Sequence, residues 1–148
     1  YTTIEDNVVY DNYSANIYID NSSYVLVQRN LVYTTGNPDF DRAPGICCAD
    51  EDYGGEALSH HNTIINNLVL GGSRTFSYFR EVPDSGLKQS LIAHNTFVNS
   101  HTTSTIRIVD GAHQDTRFEN NIFLQEDSLP IADVVNDPEL RFSHNLWS

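Results

Sequence analysis

The sequence contains no methionine, one tryptophan and only two cysteines among its 148 residues. The cysteines are adjacent, Cys47 and Cys48, and chain neighbours rarely bridge each other because the ring would strain the peptide between them. They supply neither a disulfide framework nor a zinc-ligand spacing. Two free thiols, one of them packed inward on a strand, are expected. Basic residues are scarce too: eight against twenty acidic ones, for a formal net charge of −12. That balance repels phosphate backbones and anionic bilayers, so neither nucleic acid nor membrane is expected as a partner. An acidic polymer would need local arginines or a bridging cation. No run approaches the roughly 20 apolar residues that cross a bilayer. No signal peptide opens the chain, which starts on Tyr1-Thr2-Thr3-Ile4 and already reads as strand. The expectation is a single domain, 1–148, cut from a longer polypeptide.

What is present is a repeat. An apolar residue, two tolerant positions, Asn and then apolar residues recur as Ile4-Glu5-Asp6-Asn7-Val8-Val9, Val27-Gln28-Arg29-Asn30-Leu31-Val32 and Ile64-Ile65-Asn66-Asn67-Leu68-Val69. They recur again as Ile92-Ala93-His94-Asn95-Thr96-Phe97, Phe118-Glu119-Asn120-Asn121-Ile122-Phe123 and Phe142-Ser143-His144-Asn145-Leu146-Trp147. The six asparagines Asn7, Asn30, Asn67, Asn95, Asn121 and Asn145 are spaced by 23, 37, 28, 26 and 24 residues. Short segments rich in Val, Ile, Phe and Tyr alternate with Asn, Gly, Ser and Asp, and no helical period persists. Such a unit holds three short strands, and successive units stack at the roughly 4.8 Å strand spacing. The fold expected is all-β: a right-handed parallel β-helix, a single-stranded solenoid of about six coils. The asparagine is expected to adopt the left-handed backbone of the turn and to bond its amide to the next asparagine in a ladder.

A second strand follows in each coil: 16–20, 45–49, 75–79, 105–109 and, more weakly, 131–134. Alternation turns Ile17, Ile19, Ile46, Cys48, Phe76, Tyr78, Ile106 and Ile108 inward and leaves Tyr18, Cys47, Ser77 and Arg107 as an outward row. Just beyond it the frame stacks Asp50, Arg80 and Asp110 in one outer column and Glu51 and Glu81 in the next, with Arg107 before and His113 after. Three readings fit this cluster. It is a salt-bridge ladder between coils, a site for Ca²⁺ (at Asp50 and Glu51) or for sugar hydroxyls, or a catalytic centre. The ligand-binding candidates are Asp50, Glu51, Arg80, Glu81 and Asp110; the catalytic candidates are Asp50, Arg107, Asp110 and His113. Insertions at 34–44 and 51–62 flank this strand in the long second coil and are expected to wall a groove. His60 and His61, neighbours on a loop, are expected to point apart as solvated side chains, which weakens them as metal ligands.

The six asparagine motifs and the strands between them resemble the right-handed parallel β-helix repeat, or pectin-lyase-like, superfamily over essentially the whole chain. The resemblance implies an extracellular or cell-surface protein and a polysaccharide or oligosaccharide as substrate or ligand. It leaves open whether the segment is an enzyme, because this architecture carries lyases, hydrolases and non-catalytic stalks alike. The first reading is a carbohydrate-binding or scaffold segment of a larger polysaccharide-processing protein. The alternative is a polysaccharide lyase or glycoside hydrolase with its groove on the outer face of coils two to four. A hydrolase would pair Asp50 with Asp110. A lyase would use Arg107 or His113 as base, with Ca²⁺ held by Asp50 or Glu51. The motif set expected of a polygalacturonase is not found: Gly111-Ala112-His113 and Arg107-Ile108-Val109 echo it only in part. The Arg-x-Pro-x-x-Arg pattern near a pectate-lyase base is absent as well. Both ends fall within the asparagine-bearing motif, so end-to-end self-association through uncapped coils is a further expectation.

Overall fold

The computed structural model describes residues 1–52 and 58–148. Strands form where apolar residues alternate in threes and fours, and turns form at the Asn, Asp and Gly between them. Coil one supplies β1 (Thr2–Glu5), β2 (Val8–Tyr10) and β3 (Ile17–Asp20), and coil two β4 (Val25–Gln28), β5 (Leu31–Tyr33) and β6 (Ile46–Asp50). Coil three supplies β7 (Thr63–Ile65), β8 (Leu68–Leu70) and β9 (Phe76–Arg80), and coil four β10 (Leu91–Ala93), β11 (Thr96–Val98) and β12 (Ile106–Ile108). Coil five supplies β13 (Thr116–Glu119), β14 (Ile122–Leu124) and β15 (Ala132–Val134), and coil six β16 (Leu140–Ser143) and β17 (Leu146–Trp147).

Equivalent strands pair in parallel into three sheets: A (β1-β4-β7-β10-β13-β16), B (β2-β5-β8-β11-β14-β17) and C (β3-β6-β9-β12-β15). The protein is a parallel β-solenoid, and no described residue lies in a helix. Because registers are unshifted, like residues stack inside. The inward column of sheet B runs Val9, Val32, Val69, Phe97, Phe123, Trp147. Its aromatic half is offset-stacked, with Phe97–Phe123 at 5.3 Å and Phe123–Trp147 at 4.4 Å. Such stacks add about 0.5–1.5 kcal/mol each beyond burial. The eight residues expected to point inward from sheet C are all 4% exposed or less. Gly45, just ahead of β6, is forced by close packing: a Cβ there would collide with Val69 and sit 2.7 Å from the Thr75 carbonyl oxygen.

The asparagine ladder is continuous. Asn7, Asn30, Asn67, Asn95 and Asn121 each donate both the backbone N–H and Nδ2–H to Oδ1 of the asparagine in the next coil, at 2.8–3.1 Å. One expectation is corrected. The left-handed residue is not the ladder asparagine but the one before it: Asp6, Arg29, Asn66, His94, Asn120 and His144 have φ of 53–57°. The reversal at that residue turns the following asparagine inward, where its amide replaces backbone partners that the turn cannot supply. The outer face of sheet B, by contrast, is nearly free of polar groups. Val8, Tyr10, Leu68, Ile122 and Leu146 are all at least 40% exposed.

Candidate functional site

Sheet C carries the site. Tyr18, Cys47, Ser77, Arg107 and Asp133 stand in one outward row, each opposite the next across the ladder. Asp20, Ala49 and Phe79 form the parallel row. The Tyr18 and Phe79 rings stand nearly parallel on this face (13°), with centroids 6.4 Å apart. Two hollows of about 170 and 180 Å³ lie end to end along this face and share Arg74, Ser77 and Phe79. Tyr18, Cys47, Pro44 and Glu51 line the first, and Arg107 and Val109 line the second. Pro44 closes the 34–44 insertion, which is anchored by the bond from Ser73 N–H to Ala43 O at 3.0 Å. The 51–62 insertion includes residues 53–57, which lie outside the described residues.

Arg74 dominates the electrostatics. Its Nε is buried without a hydrogen-bond partner, and its guanidinium makes no salt bridge to any described residue. Burial and the neighbouring Arg107 together push its pKa below the ordinary value. Arg107 is held by Asp133, Nε to Oδ2 at 3.1 Å. The Tyr18 hydroxyl donates to the Glu51 carboxylate, and burial together with that bond raises the phenol pKa. Burial also pushes the Cys47 thiol up to about 11, so it lines the groove as a protonated, poorly nucleophilic group. The groove is therefore a shallow aromatic-walled trough with an unsatisfied cationic donor at its centre.

The cluster expected from the frame separates. Asp50 does pair with Arg80 in register, but its side chain turns into the core and is fully buried. There Oδ1 accepts from Ser59 N–H at 3.1 Å and Oδ2 from the Tyr78 hydroxyl at 2.8 Å. Arg80 turns instead to Asp110, donating from Nε to its carbonyl oxygen at 2.8 Å, with Nη2 3.4 Å from Oδ2. Glu81 accepts from Asp52 N–H at 3.2 Å. His113 is buried, and both ring nitrogens are engaged. Nδ1 accepts from Leu87 N–H at 3.1 Å, so Nε2 carries the proton and donates to Val109 O at 2.9 Å. Asp50 and His113 are thus core polar groups with their hydrogen bonds made, not an acid and base facing a groove. Nor do Asp50 and Glu51 fit a calcium ion: one carboxylate bonds to Tyr78 inside and the other to Tyr18 outside. Among the described residues, no three His, Cys, Asp or Glu are arranged to hold a metal. His60 and His61 do not point apart; their Nδ1 atoms are 2.9 Å from each other.

Two features escaped the sequence reading. Arg74 occupies a row otherwise filled by Ala15, Pro44, Ser104 and Pro130, and a charge in that row was the available signal. A second internal polar stack precedes sheet A: Val25 N–H donates to Asn62 Oδ1 at 3.0 Å and Asn62 N–H to Ser90 Oγ at 3.3 Å. Ser90 N–H continues it to Thr116 Oγ1 at 3.4 Å. The side chains differ from coil to coil, so no repeated letter marks it. Comparison with protein-family models, with curated proteins and with solved structures finds no match, and the parallel β-solenoid with its Arg74 groove stands on its own geometry.

Proposed function

We propose that the outer face of sheet C is a saccharide-binding groove, and that the protein is a carbohydrate-binding segment of a larger, extracellular polysaccharide-processing protein of pectin-lyase-like kind. The observation that carries this reading is Arg74: a guanidinium with a buried, unpartnered Nε, lining one hollow with the Tyr18 and Phe79 rings. Sugar rings stack on aromatic faces through their C–H edges, and a guanidinium recognises a carboxylate through paired N–H donors. Arg107, beside it, extends the cationic strip. The net charge of −12 opposes any dense polyanion. The ligand that fits is a largely neutral chain carrying isolated carboxyl groups.

Affinity electrophoresis through gels cast with a neutral xylan, a sparsely uronated xylan and a fully uronated polymer tests this directly. The sparsely uronated gel is expected to retard the protein most, and Arg74→Gln to remove that retardation while the neutral gel is unaffected. Equal migration in all gels, or full retardation of Arg74→Gln, overturns the assignment.

A further inference from the structure

Successive residues of an extended chain project to opposite faces, so neighbouring histidines do not normally share a ligand. His60 and His61 escape this rule through their backbone. His60 forms a parallel bridge with Lys88, and His61 has φ of 55°, in the left-handed region. That reversal brings both rings to one side, with the Nδ1 atoms 2.9 Å apart. The arrangement is held from several directions. Tyr24 stacks on His61 at 4.9 Å and 18° and meets His60 edge-on at 5.3 Å. Tyr24 N–H donates to His60 O at 3.1 Å, and His61 N–H to Lys88 O at 2.9 Å.

Two nitrogens so placed share one proton, one ring donating from Nδ1 and the other accepting. A metal ion can take the proton's place between the two nitrogens. The span chooses among metals. Two bonds of about 2.0 Å at a right angle separate their donors by about 2.8 Å, whereas a tetrahedral angle separates them by about 3.3 Å. The 2.9 Å observed matches the first. Imidazole donors in tetragonal geometry favour copper(II), which also heads the affinity order of divalent first-row ions. The acidic surface, at a net charge of −12, concentrates such a dication nearby.

We infer that His60 and His61 form a surface chelate for copper(II), the two Nδ1 atoms taking adjacent equatorial positions and water the rest. Starting from two neutral rings, binding releases no net proton. The donating ring moves its proton from Nδ1 to Nε2 through solvent, and both Nδ1 lone pairs become free. This site is independent of the sheet C groove and stands or falls without it.

Copper(II) chloride titrated into the whole chain, with glycine as competitor, tests the inference by electron paramagnetic resonance. One copper per chain is expected at the pair, with coupling to two equatorial nitrogens. His60→Ala is expected to weaken binding by at least about tenfold. His61→Asn is expected to do the same while keeping the backbone, because asparagine tolerates the left-handed region. His94→Ala, at an exposed histidine elsewhere, should leave the affinity unchanged. If the His60→Ala/His61→Asn double variant binds copper as tightly as the parent, or the spectrum shows a single coupled nitrogen, the site does not exist.

Discussion

Asn67 gives both of its donors to one atom: its backbone N–H and its Nδ2–H reach Oδ1 of Asn95, at 2.9 and 3.0 Å. Asn95 Nδ2–H in turn caps the carbonyl of Ile64 at 2.8 Å, so one side chain closes the turns of two coils. Both residues are at most 2% exposed, which places these bonds out of reach of water.

Replacing Asn95 with Ala therefore strands a buried amide on one side and a buried carbonyl on the other. Each orphaned group costs about 1–3 kcal/mol, and a loss of about 3 kcal/mol in urea-unfolding free energy is expected. His94→Gly should do the opposite. His94 sits at φ of 57° with its side chain exposed, so glycine relieves left-handed strain at the cost of some chain entropy. A gain of up to about 1 kcal/mol in the same assay separates the two roles.

The aromatic end of the core is a second test. Phe97 packs between Phe76 at 5.9 Å and Phe123 at 5.3 Å and is fully buried. Phe97→Ala leaves a cavity that neighbouring coils cannot collapse into without breaking register, and should cost about 3–5 kcal/mol. A thermal melt that keeps its midpoint would contradict the packing described.

Cys47 makes stability depend on alkaline pH. Burial lifts its thiol from an ordinary value of 9.0 to about 11, so the folded state holds the proton more tightly than the unfolded one. The contribution is complete below about pH 9 and is lost as pH rises towards 11. Two pH units correspond to roughly 2–3 kcal/mol. Denaturation midpoints measured from pH 8 to 11 should fall for the parent and fall less for Cys47→Ser. Cys48, fully buried and shifted further upward, should resist alkylation until the protein unfolds.

Arg74 offers a contrast between function and stability. A half-buried guanidinium with an unpartnered Nε, next to Arg107, contributes little to folding. Arg74→Met should leave the unfolding free energy unchanged or raise it by up to about 1 kcal/mol, solvent screening keeping the effect small. A loss of more than 2 kcal/mol would mean that the guanidinium is a structural strut.

Period and spacing made most of the fold legible. Six asparagine motifs fix where coils begin, because a ladder tolerates neither a missing amide nor a slipped register, and alternation then sets which of Ile17, Ile46, Phe76 and Ile106 face the core. The site was less legible. Asp50 is the last residue of β6, and alternation from Ile46 and Cys48 turns it inward to the Tyr78 hydroxyl, so an outer column through Asp50 breaks the strand's own period. The frame put Arg80 beside two aspartates, and geometry gave it only Asp110.

The sequence by itself determined the coil count, the parallel stacking and the inward residues, since these follow from a local pattern repeated at each turn. The tertiary structure alone decided three things: that Arg74 lines a hollow with Tyr18 and Phe79 while its Nε finds no partner, that His113 belongs to the core, and that His60 and His61 converge. Each depends on a backbone turn, or on neighbours one coil away. Side-chain direction at a turn is set by φ at single residues and by the coils above and below, and composition and period carry neither.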